Sequence, residues 1–560
     1  MTLQVHRPGM PQHPVTDSDE LRTLVRNLCH RERFAHPVDD FQVIETHISC
    51  LLLTGPYVYK FKKPVNLGFL DFSSPQARQF YCEEELRLNG QLSPELYQGL
   101  VRVTGDIEHP ELDGGGPLLE YAVKMRQFPE AQRLDHVAER GELKPEHIDA
   151  LADQLAHFHL HSPSAPQDSR FGEPAEVRRP VLDNFSQISP LLDNAGQRAM
   201  LDEVRQWTEQ ALLMLQEDFQ QRRHDGWIRE CHGDLHLGNI ALFEDRVTLF
   251  DRLEFSPALR WIDVMSDLAF LIMDLRQRDQ HKLAMRLLNR YLEQSGDYLG
   301  LGVLRFYVIY RAMVRAKVAI LQAQQRVDQG LDARSQTREF THYLRTARDY
   351  TRPAATAPLI ITHGLSGSGK SWLSTQLAES LGALRIRSDV ERKRLFALQP
   401  TDRVPSAVGQ GLYQPDVSRE TYRRLHAAAY MVLDAGCPVI LDATFLDQEQ
   451  RDLMRRLAHT SGAPFIILDV RAPEAVLRAR ILARHQEQRD ASDADLQVLE
   501  HQLEKQDPLS EEERQHVVEV RNEDGLDLEA VTARVLETIR RLDAKGNGSL
   551  PGTIPGHVPP

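Results

Sequence analysis

The chain has 560 residues, of which 41% are hydrophobic and 26% charged, and its formal net charge is −14. Such a length exceeds what a single hydrophobic core supports, so we expect a globular protein of two or three domains. No apolar stretch approaches the ~20 residues of a membrane span, and the negative charge disfavours nucleic acid as a main partner because no basic excess is available to neutralise phosphates.

The cysteine pattern indicates the compartment. The cysteines are scattered without a C-x-x-C pair, at Cys29, Cys50, Cys82, Cys231 and Cys437. This spacing argues against a disulfide framework and against a zinc site. Because the polar, Pro-rich N-terminus also lacks the apolar core of a signal peptide, we predict a cytoplasmic protein with reduced thiols.

The first part of the chain predicts a helix followed by a sheet of short strands. Residues 1–16 are expected to be flexible, and a helix is predicted from Asp17 to about Arg31. Apolar runs separated by turn residues such as Thr54-Gly-Pro56 predict a hairpin, with a further helix around Gln76–Leu92. The predicted strands are Val43–His47, Ser49–Leu53, Tyr57–Lys62, a segment near Leu100–Val103, and Leu118–Phe128.

From about residue 145 to residue 349 the pattern is mostly helical, but two apolar strands flank the motif Cys231-His-Gly-Asp-Leu-His-Leu-Gly-Asn239. The second strand ends in Leu249-Phe-Asp251. The spacing H-x-D-x-x-x-x-N, then a strand, then Asp, is the catalytic-loop arrangement of kinase-like phosphotransferases. In this form it resembles the aminoglycoside phosphotransferase family. The chemistry explains the spacing: Asp234 would accept or orient the proton of a substrate hydroxyl, while Asn239 and Asp251 would hold Mg²⁺.

The same resemblance implies a phosphate-contacting lysine on the hairpin and a glutamate partner on the next helix. Lys60 fits by its position in a Tyr-x-Tyr-Lys run, and Lys62 points to the same face by the period of two. Glu84 aligns with Leu88 at i+4, which predicts an inward position, and Glu85 follows directly. A lone strand lysine or a run of glutamates is usually solvated, so the assignment of Lys60 and Glu84 as ATP-binding residues depends on the motif at Asp234.

One departure concerns the loop that covers the phosphates. No Gly-x-Gly-x-x-Gly occurs between Val43 and Cys50, where a protein kinase has it. Aminoglycoside-type enzymes also relax this loop, so ATP binding remains the expectation. The departure favours, as the alternative, a first domain that binds a ligand without catalysis.

After a Pro-containing linker at residues 351–357, strands alternate with helices. The predicted strands are Leu359–Thr362, Leu384–Ile386, Pro438–Leu441, Phe465–Val470 and His516–Val520. Such alternation predicts a doubly wound parallel sheet. The tail from residue 546 is rich in Gly and Pro and is predicted to be disordered.

The strongest motif is a complete G-x-x-x-x-G-K-[ST] phosphate-binding loop between the first of these strands and a helix that we expect to stop at Gly382. Its residues are Gly364, Leu365, Ser366, Gly367, Ser368, Gly369, Lys370 and Ser371. The glycines let backbone N–H groups surround a polyphosphate, Lys370 would reach the terminal phosphates, and Ser371 would ligate Mg²⁺. The sequence therefore predicts a nucleoside triphosphate site.

Two further carboxylates end strands of the same predicted sheet. By resemblance to small P-loop kinases, such as gluconate kinases, polynucleotide 5′-kinases and zeta-toxin-like enzymes, Asp389 would be the base for an acceptor hydroxyl. Arg392 would grip the substrate or the transferring phosphoryl group. The structural alternative for Asp389 is a helix N-cap. Asp442 occupies a Walker-B-like position from which a carboxylate holds the Mg²⁺ shell.

Several arginines crowd one later helix and the loop after it, Arg478, Arg480, Arg484 and Arg489. Arginines at this spacing repel one another, so an anionic partner is a natural explanation. The cluster resembles the lid of small kinases, which closes over the phosphates. Arg480 is predicted to be catalytic and Arg484 to bind ATP, the alternative being a solvated basic helix balanced by neighbouring carboxylates.

The chain as a whole resembles bacterial two-domain proteins in which an aminoglycoside phosphotransferase-like domain is fused to a P-loop small-molecule-kinase-like domain. The expected fold class is α/β multidomain: a two-lobed, α+β protein-kinase-like domain and then a P-loop sheet. The expected bounds are 1–16 for a flexible N-terminus, 17–350 for the first domain (lobes about 17–130 and 131–350), 351–357 for the linker, 358–545 for the P-loop domain and 546–560 for a disordered tail.

The expected activity is ATP- and Mg²⁺-dependent phosphoryl transfer to small hydroxyl compounds at two centres. The alternative is a C-terminal kinase or ATPase attached to a kinase-like binding domain without catalysis. A third candidate, a kinase for polynucleotide 5′-hydroxyls, is disfavoured by the acidity of the chain.

Overall fold

The computed structural model describes residues 14–68, 70–352, 357–400, 402, 414–487, 495–522 and 526–546, without the side chains of 484–487 and 544–546. Most of the predicted flexible N-terminus and disordered tail, and linker residues 353–356, therefore lie outside the described residues. The strands are β1 Gln42–Glu45, β2 Ser49–Leu53, β3 Tyr57–Lys62, β4 Tyr97–Gly105, β5 Pro110–Leu112, β6 Leu118–Arg126, β7 Ile228–Glu230, β8 Ile240–Phe243, β9 Arg246–Leu249, β10 Trp261–Asp263, β11 Leu359–His363, β12 Leu384–Arg387, β13 Val439–Asp442, β14 Phe465–Arg471 and β15 Val517–Arg521. The α-helices are α1 Ser18–Leu28, α2 Pro75–Leu92, α3 Leu134–Glu139, α4 Pro145–His161, α5 Pro174–Ile188, α6 Ala195–Met214, α7 Gln216–His224, α8 Pro257–Arg260, α9 Val264–Gln277, α10 His281–Ser295, α11 Leu301–Asp328, α12 Arg334–Asp349, α13 Lys370–Leu381, α14 Ser388–Arg394, α15 Pro415–Asp434, α16 Gln448–Thr460, α17 Glu474–Glu487, α18 Leu496–Lys505 and α19 Leu528–Gly546.

The described chain divides into two compact units. The first comprises the chain up to Leu143 together with Pro163–Ala165 and Ile228–Ile262, and the second comprises Lys144–Ser162, Pro166–Trp227 and the chain from Asp263 onward. The first unit thus holds the predicted small lobe and the motif at Asp234. The second holds most of the predicted helical lobe and the P-loop domain, and the domain bounds predicted from sequence stay a prediction.

The first unit is built on an antiparallel sheet in the order β1-β2-β3-β6-β4-β5. The predicted hairpin is β2–β3, in which Leu51 lies opposite Lys60. Asp17 caps α1 by accepting two backbone N–H groups, and the buried face of α1 packs on the sheet beside Leu52 and Phe61. The helix ends at Leu28, earlier than predicted, because a short 3₁₀ turn takes over at residues 31–33.

The helical part of the second unit is centred on α9. This helix is buried continuously from Val264 to Leu275, as expected for a helix that is apolar on every side. It contacts α10 and α11. Among the described residues, we find no helix that combines the length and the apolarity needed to cross a membrane.

The P-loop part of the second unit is a parallel sheet in the order β12-β13-β11-β14-β15. Each of its strands begins and ends within one residue of the predicted bounds, which confirms the doubly wound sheet. The apolar core beneath it joins β11, β13, β14 and β15 to α13 and α19. Helix α13 ends at Gly382, whose φ of 62° is a left-handed C-cap.

Helix α10 is fastened to β12 within the second unit. Asn289 donates from Nδ2 to the Ala383 carbonyl at 3.0 Å, and its Oδ1 accepts the Arg385 backbone N–H at 2.7 Å. Arg286 adds an ion pair with Glu379 on α13 at 2.7 Å. Asn289 therefore pairs with one backbone carbonyl and one backbone N–H at the start of the edge strand β12. These two hydrogen bonds fix the position of α10 against the sheet.

Candidate active sites

The first candidate site lies in the first unit, around Lys60 on β3. Its Nζ is 2.8 Å from Glu85 Oε1 and 2.5 Å from Asp251 Oδ1. Burial would lower the pKa of Lys60, but the two carboxylates outweigh that effect and raise the pKa well above its usual range. The buried ammonium therefore stays charged, as a lysine that contacts phosphate must be.

The prediction that Glu84 is the partner of this lysine is wrong, and Glu85 has that role. Glu85 is fully buried, whereas Glu84 accepts hydrogen bonds from Arg87 at 2.7 Å and from Arg260 at 2.9 Å. The alignment with Leu88 did not discriminate, because residues three and four positions before a buried leucine both lie on its stripe. The structure decides between them. Glu85, three residues before Leu88, pairs with Lys60 of the sheet, whereas Glu84 pairs with arginines.

A second buried lysine shares the same glutamate. Lys62 Nζ lies 2.8 Å from Glu85 Oε2 and also pairs with Glu254. Burial lowers the pKa of Lys62, but Glu254 and Glu85 raise it above its usual range. Lys62 and Lys60, which lie on the same face of β3, therefore each hold one carboxylate oxygen of Glu85. Sequence reasoning missed Glu254, since a single glutamate after a strand carries no signal of its own.

The predicted catalytic loop is held by its own side chains. Asn239 Nδ2 donates to the backbone carbonyl of Asp234 at 2.9 Å and to its Oδ2 at 3.2 Å. His236 Nδ1 accepts the Gly238 N–H at 3.1 Å, and the Phe250 N–H donates to the Asn239 carbonyl at 3.0 Å. The loop is thereby joined to the segment that carries Asp251. His236 therefore supports the loop.

Asp251 adopts a backbone conformation that its residue type disfavours. Its φ is 62°, and its N–H donates to the Tyr97 hydroxyl at 3.0 Å. A left-handed aspartate costs about 1 kcal/mol, and such strain concentrates at functional sites. The conformation leaves the carboxylate 43% exposed while Oδ1 contacts Lys60. Predicted metal and phosphate ligands thus meet at one edge of this site.

The second candidate site is the phosphate loop between β11 and α13. A Cβ atom at Gly364 would lie 2.4 Å from the Val470 carbonyl, and one at Gly369 would lie 1.8 Å from Asn522 Nδ2. Gly364 has no room for a side chain because the Val470 backbone approaches so closely, and Gly369, next to the Asn522 side chain, has a φ of 90° that favours glycine. Lys370 Nζ donates to the Leu365 carbonyl at 2.7 Å. The loop therefore folds around its lysine at the N-terminus of a helix, as anion binding requires.

The predicted magnesium ligands Ser371 and Asp442 lie on adjacent elements. Asp442 ends β13, is 5% exposed, and accepts a hydrogen bond from Ser374 Oγ at 3.1 Å, one turn beyond Ser371 on α13. Arg385 Nη1 and Arg387 Nε lie 3.9 and 3.8 Å from Asp442 Oδ2. The carboxylate is thus surrounded by polar partners within reach of the loop.

The same two arginines reach Glu293 of α10. Arg385 Nη2 is 3.2 Å from Glu293 Oε2, and Arg387 Nη1 is 3.7 Å from Glu293 Oε1. Burial would raise the pKa of Glu293, but Arg387 and Arg385 hold it below its usual range. Sequence reasoning missed this contact, because a helix glutamate far along the chain gives no sign of its partner.

Asp389 and Arg392, predicted to act on the acceptor, are paired with each other. Asp389 Oδ1 accepts a hydrogen bond from Arg392 Nη1 at 2.8 Å within α14. Asp389 is the second residue of this helix, whose N-cap is Arg387, so the N-cap alternative does not hold. The roles of this pair in chemistry stay a prediction.

Comparisons with known proteins match two successive parts of the chain. The model of the phosphotransferase enzyme family matches residues 69–307, and the model of the AAA domain matches residues 359–509. Relatives named uncharacterized proteins, from Mycobacterium tuberculosis and Mycobacterium bovis, are 30% identical over 454 residues, which cover 80% of this chain and 88% of each relative. The chain belongs to their family. In this family member a phosphotransferase domain precedes a P-loop kinase-like domain.

Two solved kinase structures are similar to parts of this family member. A choline/ethanolamine kinase family protein from Mesorhizobium loti is 12% identical, with a TM-score of 0.36, covering 59% of this chain and 99% of that protein. A gluconokinase from Sinorhizobium meliloti is 22% identical, with a TM-score of 0.24, covering 34% of this chain and 95% of that protein.

The family's domains imply use of ATP and typically of Mg²⁺, and the donor atoms of the first site fit a magnesium ion. The candidate ligands are a half-exposed carboxylate, Asp251, and the amide oxygen of Asn239, whose N–H₂ group is already used by Asp234. Oxygen ligands of this kind are those that Mg²⁺ prefers. In the second site, Ser371 and Asp442 offer a hydroxyl and a carboxylate.

The described lid arginines differ in what they contact. Arg480 Nη2 donates to the Asn522 carbonyl at 3.2 Å, and its Nη1 is 3.5 Å from the Ser368 carbonyl in the phosphate loop. Arg478 instead pairs with Glu474 at 2.9 Å and Glu500 at 3.3 Å. The side chain of Arg484, the predicted ATP ligand, lies outside the described residues, as does Arg489.

This difference in contacts predicts which arginine contributes to Mg-ATP turnover. Arg480→Ala should lower Mg-ATP turnover by the P-loop centre on the order of 10²-fold, because it removes a donor beside the loop that would stabilise developing charge. Arg478→Ala is the matched control on the same helix and should leave turnover unchanged. Steady-state ATP hydrolysis by the full chain measures both, and equal losses in the two variants would contradict the assignment.

Proposed function

We propose that the chain is a bifunctional ATP-dependent kinase with two centres. Each centre transfers the terminal phosphoryl group of Mg-ATP to a hydroxyl of a small molecule in the cytoplasm. The observation that carries the proposal is the convergence in the first unit of Lys60, Glu85, Asn239 and Asp251 from four separate segments. A complete phosphate loop in the second unit adds an independent nucleotide site.

At the first centre, Lys60 binds the phosphates of ATP, with Glu85 holding its ammonium in position. Asn239 and Asp251 bind Mg²⁺, and Asp234, 43% exposed, orients or accepts the proton of the acceptor hydroxyl. Supporting this assignment, Asn239 contacts Asp234 directly, so one loop supplies both a metal ligand and the group that faces the acceptor.

At the second centre, Lys370 and the backbone N–H groups of its loop bind the phosphates. Ser371 and Asp442 hold Mg²⁺, and Arg480 stabilises the charge that develops during transfer. The acceptor is a small compound rather than a polynucleotide, because the net charge of −14 leaves no basic excess for a phosphate backbone. Steeply salt-dependent binding to oligonucleotides would contradict this choice.

The test assigns labelled products to each centre. The full-length wild type, Lys370→Ala and Asp234→Asn proteins are incubated with γ-labelled ATP and a metabolite pool. We expect Asp234→Asn to lower the products that persist in Lys370→Ala by about 10²–10⁴-fold, because the acceptor loses its proton-accepting group. Asp245→Asn, an exposed aspartate after β8, is the matched control and should change nothing. Products unaffected by either variant would refute the proposal.

A binding role without catalysis is the second candidate for the first domain. It is favoured by the turn between β1 and β2, where the Thr46 N–H donates to the Ser49 carbonyl at 2.9 Å and no glycine covers the phosphates. Mg-ATP binding by full-length Lys370→Ala separates the candidates. Binding that Asp251→Ala removes, together with turnover, supports the enzyme, whereas binding without turnover supports a ligand-binding module.

A further inference from the structure

A cavity of about 1020 Å³ adjoins the phosphate loop on the side of β14 and β15. Gly364 and Leu365 of the loop line it, together with His363, the last residue of β11. Its charged lining consists of Asp469, Arg471, Asp507, Arg514 and Glu519. None of the roles assigned above uses this cavity, although it shares a wall with the loop that would hold ATP.

His363 and Asp469 form a buried dyad in this cavity. His363 Nδ1 lies 2.7 Å from Asp469 Oδ1, and the two residues are 8% and 1% exposed. Arg471 donates to the other carboxylate oxygen at 2.6 Å. His363 Nε2 is buried and has no hydrogen-bond partner among the described residues. An unpaired buried polar atom costs free energy, so this nitrogen calls for a partner that the described residues do not supply.

The dyad determines which atom of the ring accepts a proton. Burial would raise the pKa of Asp469, but the hydrogen bonds from His363 and Arg471 lower it, so the carboxylate is ionised. In the neutral ring, an ionised carboxylate accepts the Nδ1–H, and this tautomer leaves the lone pair on Nε2. The partner that suits such a lone pair is an O–H donor.

We propose that this cavity binds the hydroxyl-bearing acceptor of the P-loop centre and that His363 is its general base. This proposal rests on the kinase function proposed above. His363 Nε2 accepts the proton of the acceptor hydroxyl while the oxygen forms a bond to the γ-phosphorus of ATP. The bond from that phosphorus to the bridging oxygen breaks, ADP leaves with its electron pair, and the imidazolium releases the proton to solvent.

The proposal revises the role predicted for Asp389. The Asp389 carboxylate is already hydrogen-bonded by Arg392 at 2.8 Å, so its Oδ1 already has a partner. His363 instead has an acceptor atom without a partner and an orienting carboxylate behind it. This base–orienter pair is the arrangement that general-base catalysis uses. Asp389 and Arg392 would then hold the phosphoryl group or position the acceptor.

The test uses water as the acceptor, because the natural one is unidentified. Slow hydrolysis of Mg-ATP is measured with the full-length chain carrying Asp234→Asn, so that only the P-loop centre turns over. In this protein His363→Ala should lower hydrolysis by about 10²–10⁴-fold, while binding of a fluorescent ATP analogue stays unchanged. Added imidazole should restore a measurable part of the rate by occupying the space of the missing ring.

Controls make each outcome decisive. His363→Asn preserves a donor toward Asp469 without the Nε2 atom and should lose the same activity, which guards against misfolding of the alanine variant. His459→Ala, an exposed histidine on α16, should have no effect. Retained hydrolysis in His363→Asn, or a loss in His363→Ala that imidazole does not rescue, overturns the general base. If Lys370→Ala also leaves hydrolysis intact, the kinase function itself fails, and the two failures are thus distinguishable.

Discussion

Lys370→Ala is expected to lower phosphoryl transfer from the P-loop centre on the order of 10³-fold. The lysine is 8% exposed and its ammonium sits inside the loop, donating to the Leu365 carbonyl at 2.7 Å. In the proposed centre, this charge contacts the phosphates of ATP. Its removal leaves developing charge uncompensated in a site of low dielectric, where such contacts contribute most.

The measurement compares nucleotide affinity and turnover in the full-length chain. Lys282→Ala is the matched control, since Lys282 is an exposed lysine on α10 away from the loop, and it should leave both quantities unchanged. A Lys370→Ala protein that binds and turns over Mg-ATP at the wild-type rate would show that the loop has another role.

Glu85→Ala should have the largest effect on stability, a loss of about 3 kcal/mol in the free energy of unfolding. Glu85 is fully buried and contacts both Lys60 and Lys62 at 2.8 Å. Without it, two buried ammonium groups share only Asp251 and Glu254, and breaking a buried ion pair by removing one partner leaves a charge uncompensated. The loss is measured as a lower melting temperature of the variant in thermal unfolding.

The neighbouring Glu83 is the matched control, because it is exposed on the same helix and its replacement by alanine should change stability by less than about 0.5 kcal/mol.

The pH dependence of stability gives a second measurement. Burial would raise the pKa of Glu85, but Lys60 and Lys62 lower it below its usual value. Its stabilisation is therefore present above the ordinary glutamate pKa of ~4.3 and is lost as the pH falls below it. Glu85→Ala should therefore lose less unfolding free energy at acid pH than the Glu83→Ala control. Equal losses in the two variants would contradict the role of the buried pair.

The sequence predicted the P-loop sheet almost residue by residue, because its strands are short apolar runs bounded by turns and its loop is a complete motif. The parallel sheet and the end of α13 at Gly382 are confirmed. The predicted hairpin of the first unit, β2–β3, is also confirmed, although α1 ends earlier than predicted. Local patterns suffice for these features, since each depends on residues close in sequence.

The side-chain partners were harder to predict. A helical period cannot separate Glu84 from Glu85, because both face the same stripe. Glu254, Glu293 and the pairing of His363 with Asp469 join segments that only the folded chain brings together. The motifs therefore indicate which chemistry to expect, while the three-dimensional structure identifies the groups that orient it.

The contacts of α10 with β12 set limits on dissecting this protein. A cut between Asp349 and Pro358 would detach Glu293 from Arg385 and Arg387, leaving two guanidinium groups beside Asp442 without their second counter-ion. Asn289 would also release two backbone groups at the strand edge. Excised halves would therefore carry altered electrostatics around Asp442, a predicted metal ligand, and a fragment could be inactive because of the cut rather than because the intact chain lacks activity.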